Sequence, residues 1–450
     1  SLLTELRARS LEISDLNRAN AVLGWDQSTY MPAGGSTARG RQRSLLSRLS
    51  HQRLTDKAMG RLLDRLAPVA GDLDPDSDDA CLIRVVRRHY ERAIKVPSRF
   101  VERESAHAAR CYQTWKAARP ANDFAAVRDD LEIWLDLSRE WATYMGRGSD
   151  PGAHIADPFI DAGDEGMTGA SVRSLFDALR GELVPLARAI AAQPTADDSC
   201  LRLHYPESAQ LTFSLQAAER IGYDLARGRL DKTAHPFMTR FAAGDVRITT
   251  RVNEHDLGDA FFSTLHEAGH ALYELGVAPD LDGTPLGGGA SFGVHESQSR
   301  LWENLVGRSR PYWQHAYPLL QWTFPGQLGA MPLDTFYRAI NKVQRSLIRT
   351  DADEVTYNLH VMIRFDLELA LLEGTLAVSD LPRAWAERYE ADLGLVPPDD
   401  RDGVLQDVHW FAGGIGGAFQ GYTIGNILSA QFYGAAARAI PGLEGAISRG

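Results

Sequence analysis

Cysteine, long apolar runs and positive charge are all scarce in this chain of 450 residues. Its three cysteines, Cys81, Cys111 and Cys200, are scattered and lack the spacing of a metal site. A low, odd cysteine count is typical of a reducing compartment, so the sequence predicts a cytoplasmic protein. No apolar run is long enough to span a bilayer, which argues against a membrane partner. The net charge of −11 argues against a nucleic-acid partner, because such partners require a basic surface.

Helical periodicity dominates the rest of the chain. The spacing of apolar residues predicts helices over residues 122–144, 171–192, 333–348 and 353–372. Residues 71–79 and 146–166 are predicted to be loops, and the β-branched run 246–252 is predicted to be a lone strand. The sequence therefore predicts a mainly α protein with a large core. Residues 1–450 are expected to form a single domain, with two lobes that flank a groove.

The most informative stretch is His266-Glu267-Ala268-Gly269-His270, an H-E-x-x-H motif in a helical pattern that Asp256 begins and Gly276 ends. Two histidines four residues apart lie on one helical face, so both imidazoles can bind one tetrahedral metal ion. The intervening Glu267 can act as a general base on water at the open position of the metal. This combination favours a metal site over two hydrogen-bonded core histidines.

A catalytic zinc site normally has three protein ligands, so a third is expected downstream. Glu296 lies 26 residues beyond His270, where a second helical pattern begins after a glycine-rich loop. His266, His270 and Glu296 would form a two-histidine, one-glutamate site. Glu296 can instead be a carboxylate stabilised at a helix N-terminus. His295 also competes as the ligand, and spacing alone favours neither.

Further short segments accompany the H-E-x-x-H motif in a recognisable order. They are Trp25-Asp26 with Thr29-Tyr30-Met31-Pro32, His235-Pro236-Phe237, Asp245-Val246-Arg247-Ile248-Thr249, His295-Glu296-Ser297-Gln298, Ile348-Arg349-Thr350-Asp351-Ala352-Asp353 and Gly403-Val404-Leu405-Gln406-Asp407-Val408-His409-Trp410. With these segments the chain resembles the carboxypeptidase Taq family of metallocarboxypeptidases, and the resemblance covers essentially the whole chain.

This resemblance implies a large helical metallopeptidase with a deep substrate groove between two lobes and a small β element beside the zinc helix. It implies a homodimer that uses zinc or cobalt and removes residues one at a time from peptide C-termini, with broad preference. It also implies that His266, His270 and Glu296 bind the metal, which favours Glu296 over His295, and that Glu267 is the catalytic base. Residues 415–421 depart from the aromatic stretch common in the family, although Tyr422 still matches.

A carboxypeptidase must bind a free α-carboxylate, and the planar fork of arginine suits this purpose. Arg349 is the preferred candidate for substrate binding and Arg247 is the second. Arg349 can instead form a structural ion pair with the acidic residues that follow it, Asp351, Asp353 and Glu354. The strand that carries Arg247 could hydrogen-bond an extended peptide.

Three more polar side chains complete the predicted site. His409 and Tyr422 can each donate a hydrogen bond to the oxyanion of a tetrahedral intermediate. His235 is a candidate for shaping the substrate site, with a purely structural role as the alternative.

The sequence thus predicts a zinc-dependent carboxypeptidase, with cobalt as a second candidate metal, that acts on peptides with a free C-terminus. Two alternatives stay open. An oligopeptidase or dipeptidase-releasing enzyme would use the same metal chemistry, because the metal site does not measure distance to the substrate end. An inactive metal- and peptide-binding protein is disfavoured, since such proteins usually lose the base and this chain retains Glu267.

Overall fold

The structure is a computed structural model that describes residues 1–146 and 153–450, and helices dominate it. In chain order the α-helices are α1 (Leu2–Thr29), α2 (Ser36–Leu54), α3 (Lys57–Asp72), α4 (Asp78–Lys95), α5 (Ser98–Ala121), α6 (Ala125–Met145), α7 (Asp157–Gly163), α8 (Gly169–Ala191), α9 (Glu207–Arg220), α10 (Leu257–Leu275), α11 (Phe292–Arg300), α12 (Arg310–Thr323), α13 (Pro325–Leu328), α14 (Leu333–Ile340), α15 (Tyr357–Glu373), α16 (Leu381–Leu393), α17 (His409–Ala412), α18 (Gln420–Ala439) and α19 (Leu443–Ile447). The predicted mainly α fold is confirmed. Within the described ranges, no helix has both the length and the apolarity that crossing a membrane would require.

A three-stranded sheet accompanies the helices, with strands β1 (Leu230–Lys232), β2 (Met238–Ala242) and β3 (Asp245–Thr250) in the order β1-β3-β2. β3 runs parallel to β1 and antiparallel to β2. The prediction of a lone strand over residues 246–252 is therefore wrong, because β3 is the central strand and has a partner on both edges. Val246 and Ile248 on one face of β3 pack against Ala268 and Ala271 of α10, so the sheet supports the helix that carries the H-E-x-x-H motif.

The apolar residues form two large hydrophobic cores. The first lies among α5–α8 and α15–α18 and includes Trp134, Phe176 and Phe365. The second lies among α9, α10 and α12–α14 and is centred on Phe261 and Trp313. Helix α18 contacts both cores, since Ile424 packs in the first and Tyr433 against the second.

Helix α10 forms as its sequence predicts. The side chain of Asp256 accepts a hydrogen bond from the backbone N–H of Gly258 at 3.0 Å and caps the N-terminus. The helix ends at Leu275, with Gly276 as the C-cap residue. Phe261 and Leu265 are buried in the second core, so the N-terminal half of the helix is fixed before the two histidines begin.

The helix predicted over residues 333–348 is only half right, because α14 ends at Ile340. Asn341 donates its side-chain N–H to the carbonyl of Tyr337 and closes the helix. Farther on, the Gln406 side chain donates to the carbonyl of Leu347 and accepts the backbone N–H of Arg349, at 2.9 Å in both cases. Contacts with a distant segment thus hold this stretch in a non-helical conformation.

The predicted loop over residues 146–166 contains a short helix, α7, so this prediction is wrong for residues 157–163. Residues 147–152 of the predicted loop lie outside the described residues. Asp157 is the first residue of α7, and its side chain accepts a hydrogen bond from the backbone N–H of His154 at 2.7 Å. Ile160 is fully buried in the first core, and this packing stabilises a helix too short to be recognised from periodicity.

Candidate active site

Three potential metal ligands converge between α10 and α11. The Nε2 atoms of His266 and His270 lie 3.7 and 3.5 Å from Oε2 of Glu296, and all the potential ligand atoms lie within 4.8 Å of one another. Ligands held about 2 Å from one tetrahedral ion stand roughly 3.3 Å apart, so this spacing fits a single ion. The glutamate is 2% exposed, whereas both histidines are only partly buried. The cluster therefore offers a two-histidine, one-carboxylate site that remains accessible on one side.

Glycines allow the helices to approach closely enough for this cluster to form. A Cβ atom at Gly269, inside the H-E-x-x-H motif, would lie 2.5 Å from the carbonyl oxygen of Gln298 on α11. A Cβ atom at Gly425 of α18 would lie 2.6 Å from the side chain of Glu296. Helix α11 is thus pressed between α10 and α18, and both contacts require a residue without a side chain.

Charged residues around the cluster hold its side chains in place. Nδ1 of His266 lies 2.8 Å from Oε2 of Glu303, and Arg300 donates to Oε1 of Glu296 at 2.7 Å and to Glu303 at 3.2 Å. Glu303 belongs to a π-helical segment, Leu301–Val306, that continues directly from α11. Such segments are concentrated at functional sites. Arg300 thereby holds Glu296 directly and His266 through Glu303.

His295 is not part of the ligand cluster, although spacing alone left it as a competitor of Glu296. Its Nδ1 lies 2.6 Å from Nδ1 of His270, and its Nε2 lies 3.0 Å from Oε1 of Glu274. The ring thus stands behind His270, on the side away from Glu296.

The charges around the cluster favour a divalent cation. Burial opposes protonation of His266, but the carboxylates of Glu296, Glu303 and Glu267 outweigh it and raise its pKa to about 9. Burial lowers the pKa of His270 to about 4, which keeps that imidazole neutral. The same carboxylates that attract a proton to His266 would attract a metal ion. The donor set and its charge therefore fit a divalent metal.

Glu267 is buried beside the cluster, with 6% of its surface exposed. Burial, together with the negative charges of Glu296 and Glu303, raises its pKa to about 7 despite the nearby His266. A carboxylate with a pKa near neutrality is suited to accept a proton and to return it.

A second polar cluster surrounds Asp407. Arg349 donates to both oxygens of this carboxylate, from Nη2 at 2.8 Å and from Nε at 3.0 Å, and Arg364 donates to it as well. The alternative prediction for Arg349 was an ion pair with the acidic residues that follow it in the chain. Arg349 does form an ion pair, but its partner is Asp407. Two arginines and one aspartate leave an excess of one positive charge in a nearly buried cluster, in which Arg349 is 6% exposed.

His409 and Tyr422 lie at the edge of this second cluster. Nε2 of His409 is 3.3 Å from the hydroxyl of Tyr422. Burial and the charge of Arg349 lower the pKa of His409 to about 4, and burial raises the pKa of Tyr422 to about 12. Both groups are neutral near pH 7, and the phenol keeps the hydrogen that it would donate.

Tyr357, which the sequence reasoning missed, joins the two clusters. Its hydroxyl accepts a hydrogen bond from Nη1 of Arg349 at 2.9 Å, and the guanidinium of Arg300 lies 4.6 Å from the centre of its ring. Since Arg300 also binds Glu296, one continuous set of contacts runs from Glu296 to Arg349. Tyr357 follows the motif that contains Arg349 by a few residues, but nothing in its local pattern indicates this role.

Arg247 and His235 are not brought to these clusters. Arg247 forms two hydrogen bonds of 2.8 Å with Asp245, and its guanidinium lies 4.5 Å from the ring centre of Trp25 in α1. Its side chain leaves β3 on the face opposite to Val246 and Ile248, away from α10. His235 is exposed in the connection between β1 and β2.

Comparisons with known proteins agree with this geometry. The sequence profile of the Carboxypeptidase Taq (M32) metallopeptidase family matches residues 5–450. The thermostable carboxypeptidase 1 of Thermus thermophilus is 42% identical over 445 residues, which cover 98% of this chain and 87% of that protein. The crystal structure of an M32 carboxypeptidase from Deinococcus radiodurans R1 superposes with a TM-score of 0.95 at 51% identity and covers 100% of this chain and 89% of that one. Metallocarboxypeptidase 1 of Trypanosoma cruzi superposes with a TM-score of 0.92 at 30% identity, with the same coverage.

Proposed function

Because the chain belongs to the Carboxypeptidase Taq (M32) metallopeptidase family and is a metallocarboxypeptidase, a hydrolase of peptide bonds, we propose that it removes single residues from peptide C-termini with broad specificity. In this proposal His266, His270 and Glu296 hold the divalent metal that the family requires. The convergence of these three side chains is the observation that carries the proposal. Two imidazoles and one carboxylate are a recognised donor set for catalytic zinc, and cobalt shares the same ligand preferences.

Glu267 is the proposed general base. A divalent ion at this site would supply Lewis acidity, which polarises the scissile carbonyl and acidifies water. Glu267 accepts the proton of the attacking water and delivers it to the leaving amine. Its burial and its pKa of about 7 support both halves of this role, because the carboxylate can gain and lose a proton near neutral pH.

Tyr422 and His409 are proposed to stabilise the oxyanion that develops on the scissile carbonyl. The raised pKa of Tyr422 supports this role, because the phenol remains a hydrogen-bond donor throughout the working pH range. The hydroxyl is within 3.3 Å of Nε2 of His409, which orients it.

The cluster around Asp407 is the proposed site for the α-carboxylate of the substrate. The hydrogen bonds of Arg349 to Asp407 and Tyr357 use three of its five N–H bonds, so two are left for a carboxylate. The excess positive charge of Arg349 and Arg364 over Asp407 favours an anion at this place. We assign the carboxylate to Arg349 and not to Arg247, since Asp245 and Trp25 already surround the guanidinium of Arg247.

The remaining predictions concern the oligomeric state, the cellular location and the partners of the enzyme. We propose that it is a cytoplasmic homodimer without nucleic-acid or membrane partners, and that a groove between two lobes leads the peptide to the metal. The three cysteines are free, which supports a reducing compartment. Sedimentation of the purified protein would test the dimer.

A pair of matched peptides tests the proposed activity. Metal-reconstituted protein is incubated with a blocked dipeptide and with its C-terminally amidated twin, and product release is followed by mass spectrometry with a chelator control. We expect chelator-sensitive loss of one C-terminal residue from the free acid only. Equal cleavage of both peptides would indicate an endopeptidase, and cleavage of neither would indicate a binding protein without activity.

Two arginine variants locate the carboxylate site. Arg349→Lys keeps the positive charge but loses the bidentate pairing, so its KM for the free acid should rise. Arg247→Lys is the matched control, and its KM should stay near that of the wild type. A larger effect at Arg247 than at Arg349 would move the carboxylate to the sheet.

A further inference from the structure

The ring of His295 connects Glu274 to the proposed metal ligand His270. His270 and Glu274 lie one turn apart on α10, and His295 reaches between them from α11. The ring is 2.6 Å from His270, Nδ1 to Nδ1, and 3.0 Å from Glu274, Nε2 to Oε1. Glu274 is 6% exposed, so this three-residue link is largely shielded from solvent.

Surrounding groups keep the carboxylate of Glu274 ionised. The backbone N–H of Gly289 donates to Oε1 at 3.0 Å, and Nε of Arg240 lies 3.4 Å from Oε2. Burial opposes ionisation, but the hydrogen bonds from His295 and Gly289 and the charge of Arg240 outweigh it and lower the pKa of Glu274.

The direction of each hydrogen bond in the link follows from this carboxylate. An ionised carboxylate can only accept, so Nε2 of His295 carries a hydrogen. With that hydrogen on Nε2, the other ring nitrogen of His295, Nδ1, is left as the acceptor for the Nδ1–H of His270. The neutral ring of His270 is left with its lone pair on Nε2. That is the atom that lies 3.5 Å from Oε2 of Glu296, inside the ligand cluster.

We propose that Glu274 is a positioning residue for the metal site, which acts through His295 to fix the tautomer and the orientation of His270. The inference rests on the proposed function, since it requires His270 to bind the metal. His266 has its carboxylate partner, Glu303, in direct contact at 2.8 Å. His270 receives the same kind of support indirectly, through an intervening imidazole.

A merely structural role for Glu274 makes a different prediction. Glu274 could serve only to anchor the glycine-rich loop through the N–H of Gly289. Glu274→Gln separates the two roles, because glutamine keeps the volume and an acceptor for Gly289 but loses the charge that directs the tautomers. His295→Phe keeps an aromatic ring beside Tyr273, whose ring centre is 5.2 Å away, and removes both hydrogen bonds of the link.

The test is the zinc affinity of the purified protein, measured by competition with a chelator. Glu274→Gln and His295→Phe should each weaken binding by about 10- to 100-fold, with thermal unfolding of the metal-free proteins close to that of the wild type. In a His295→Phe background, adding Glu274→Gln should have almost no further effect, because the influence of Glu274 passes through His295. Glu274→Asp, which keeps the charge, should bind zinc more tightly than Glu274→Gln.

Asp282→Asn is the matched control. This carboxylate also pairs with Arg240, at 2.7 Å, but it does not touch His295, so the zinc affinity should remain that of the wild type. Unchanged affinity in Glu274→Gln, or full additivity in the double variant, would overturn the inference and leave the proposed function intact. A wild-type protein that binds no divalent ion would overturn the proposed function, and the inference with it.

Discussion

The close contact between Gly269 of α10 and the backbone of α11 predicts that a larger residue at this position will disrupt the proposed metal site. In Gly269→Ala, the new methyl group would lie 2.5 Å from the carbonyl oxygen of Gln298 and 2.7 Å from Cα of Ser299, whereas ordinary contacts begin at 3.4 Å. Both neighbours are backbone atoms and cannot rotate away. Helix α11 must therefore move by about 0.9 Å, since a packed interior has no void that would accept the methyl.

This displacement would carry Glu296 away from the two histidines. Metal–ligand distances tolerate only about 0.2 Å, so a shift several times larger disrupts the ligand set. A misplacement of about 1 Å at a catalytic centre can cost roughly 100-fold in activity. Overpacking of this kind costs about 1–3 kcal/mol of stability, which the higher helix propensity of alanine, about 1 kcal/mol, offsets in part.

Gly181→Ala is the matched control for this variant. Gly181 lies in the interior of α8, and a Cβ atom there would meet nothing within 4 Å. The control should gain up to about 1 kcal/mol of stability and keep full activity. The assays are denaturant unfolding of the metal-free proteins, zinc affinity by chelator competition, and kcat/KM on a blocked dipeptide. If Gly269→Ala matches Gly181→Ala in zinc affinity and kcat/KM, the close approach of α10 and α11 does not set the metal site.

Two further variants test the mechanism, and a third tests how a buried carboxyl group affects stability. Glu267→Gln should keep its metal but lose about 100- to 10,000-fold in turnover, and normal turnover of a metal-loaded variant would rule out the general base. Tyr422→Phe should lower kcat by about 100- to 1,000-fold with little change in KM, as measured with the same dipeptide, and an unchanged kcat would remove Tyr422 from the oxyanion site. Glu368 is 1% exposed, and burial raises its pKa to about 7. Between pH values of about 4.5 and about 7 the unfolded chain therefore loses the proton of Glu368 more readily than the folded protein does, and this lowers the stability of the wild type as the pH rises. The stability of Glu368→Gln relative to the wild type should therefore increase over that window by up to about 3 kcal/mol in denaturant unfolding, and a difference independent of pH would contradict the shift.

Local patterns accounted for the helix that carries the H-E-x-x-H motif. The cap at Asp256, the apolar stripe and the two histidines four residues apart all concern one helix, whose geometry repeats every 3.6 residues. The periodicity predicted α10 and the pairing of His266 with His270 because no distant contact is needed to produce either.

Distant contacts explain where sequence reasoning was incomplete. The pattern over residues 333–348 reads as one helix, but Gln406, some 57 residues beyond Arg349, binds its C-terminal part in another conformation. Substrate binding was the preferred role of Arg349, and the alternative was an ion pair with its immediate neighbours; in the structure the carboxylate that pairs with it is Asp407. Spacing along the chain cannot rank carboxylates that become neighbours only after folding.

The sequence alone determined the helical class, the H-E-x-x-H helix and, through the resemblance of its motifs, the family. These follow from short segments whose residue types and spacing are sufficient to indicate their chemistry. The spacing of residues could not choose between Glu296 and His295, although the resemblance favoured Glu296. The tertiary structure places Glu296 with His266 and His270, because the packing of α11 against α10 and α18 orients the two adjacent side chains in different directions. The tertiary structure alone revealed the contacts of Tyr357 and Glu274, because these contacts form between residues on different structural elements and no periodic pattern indicates them.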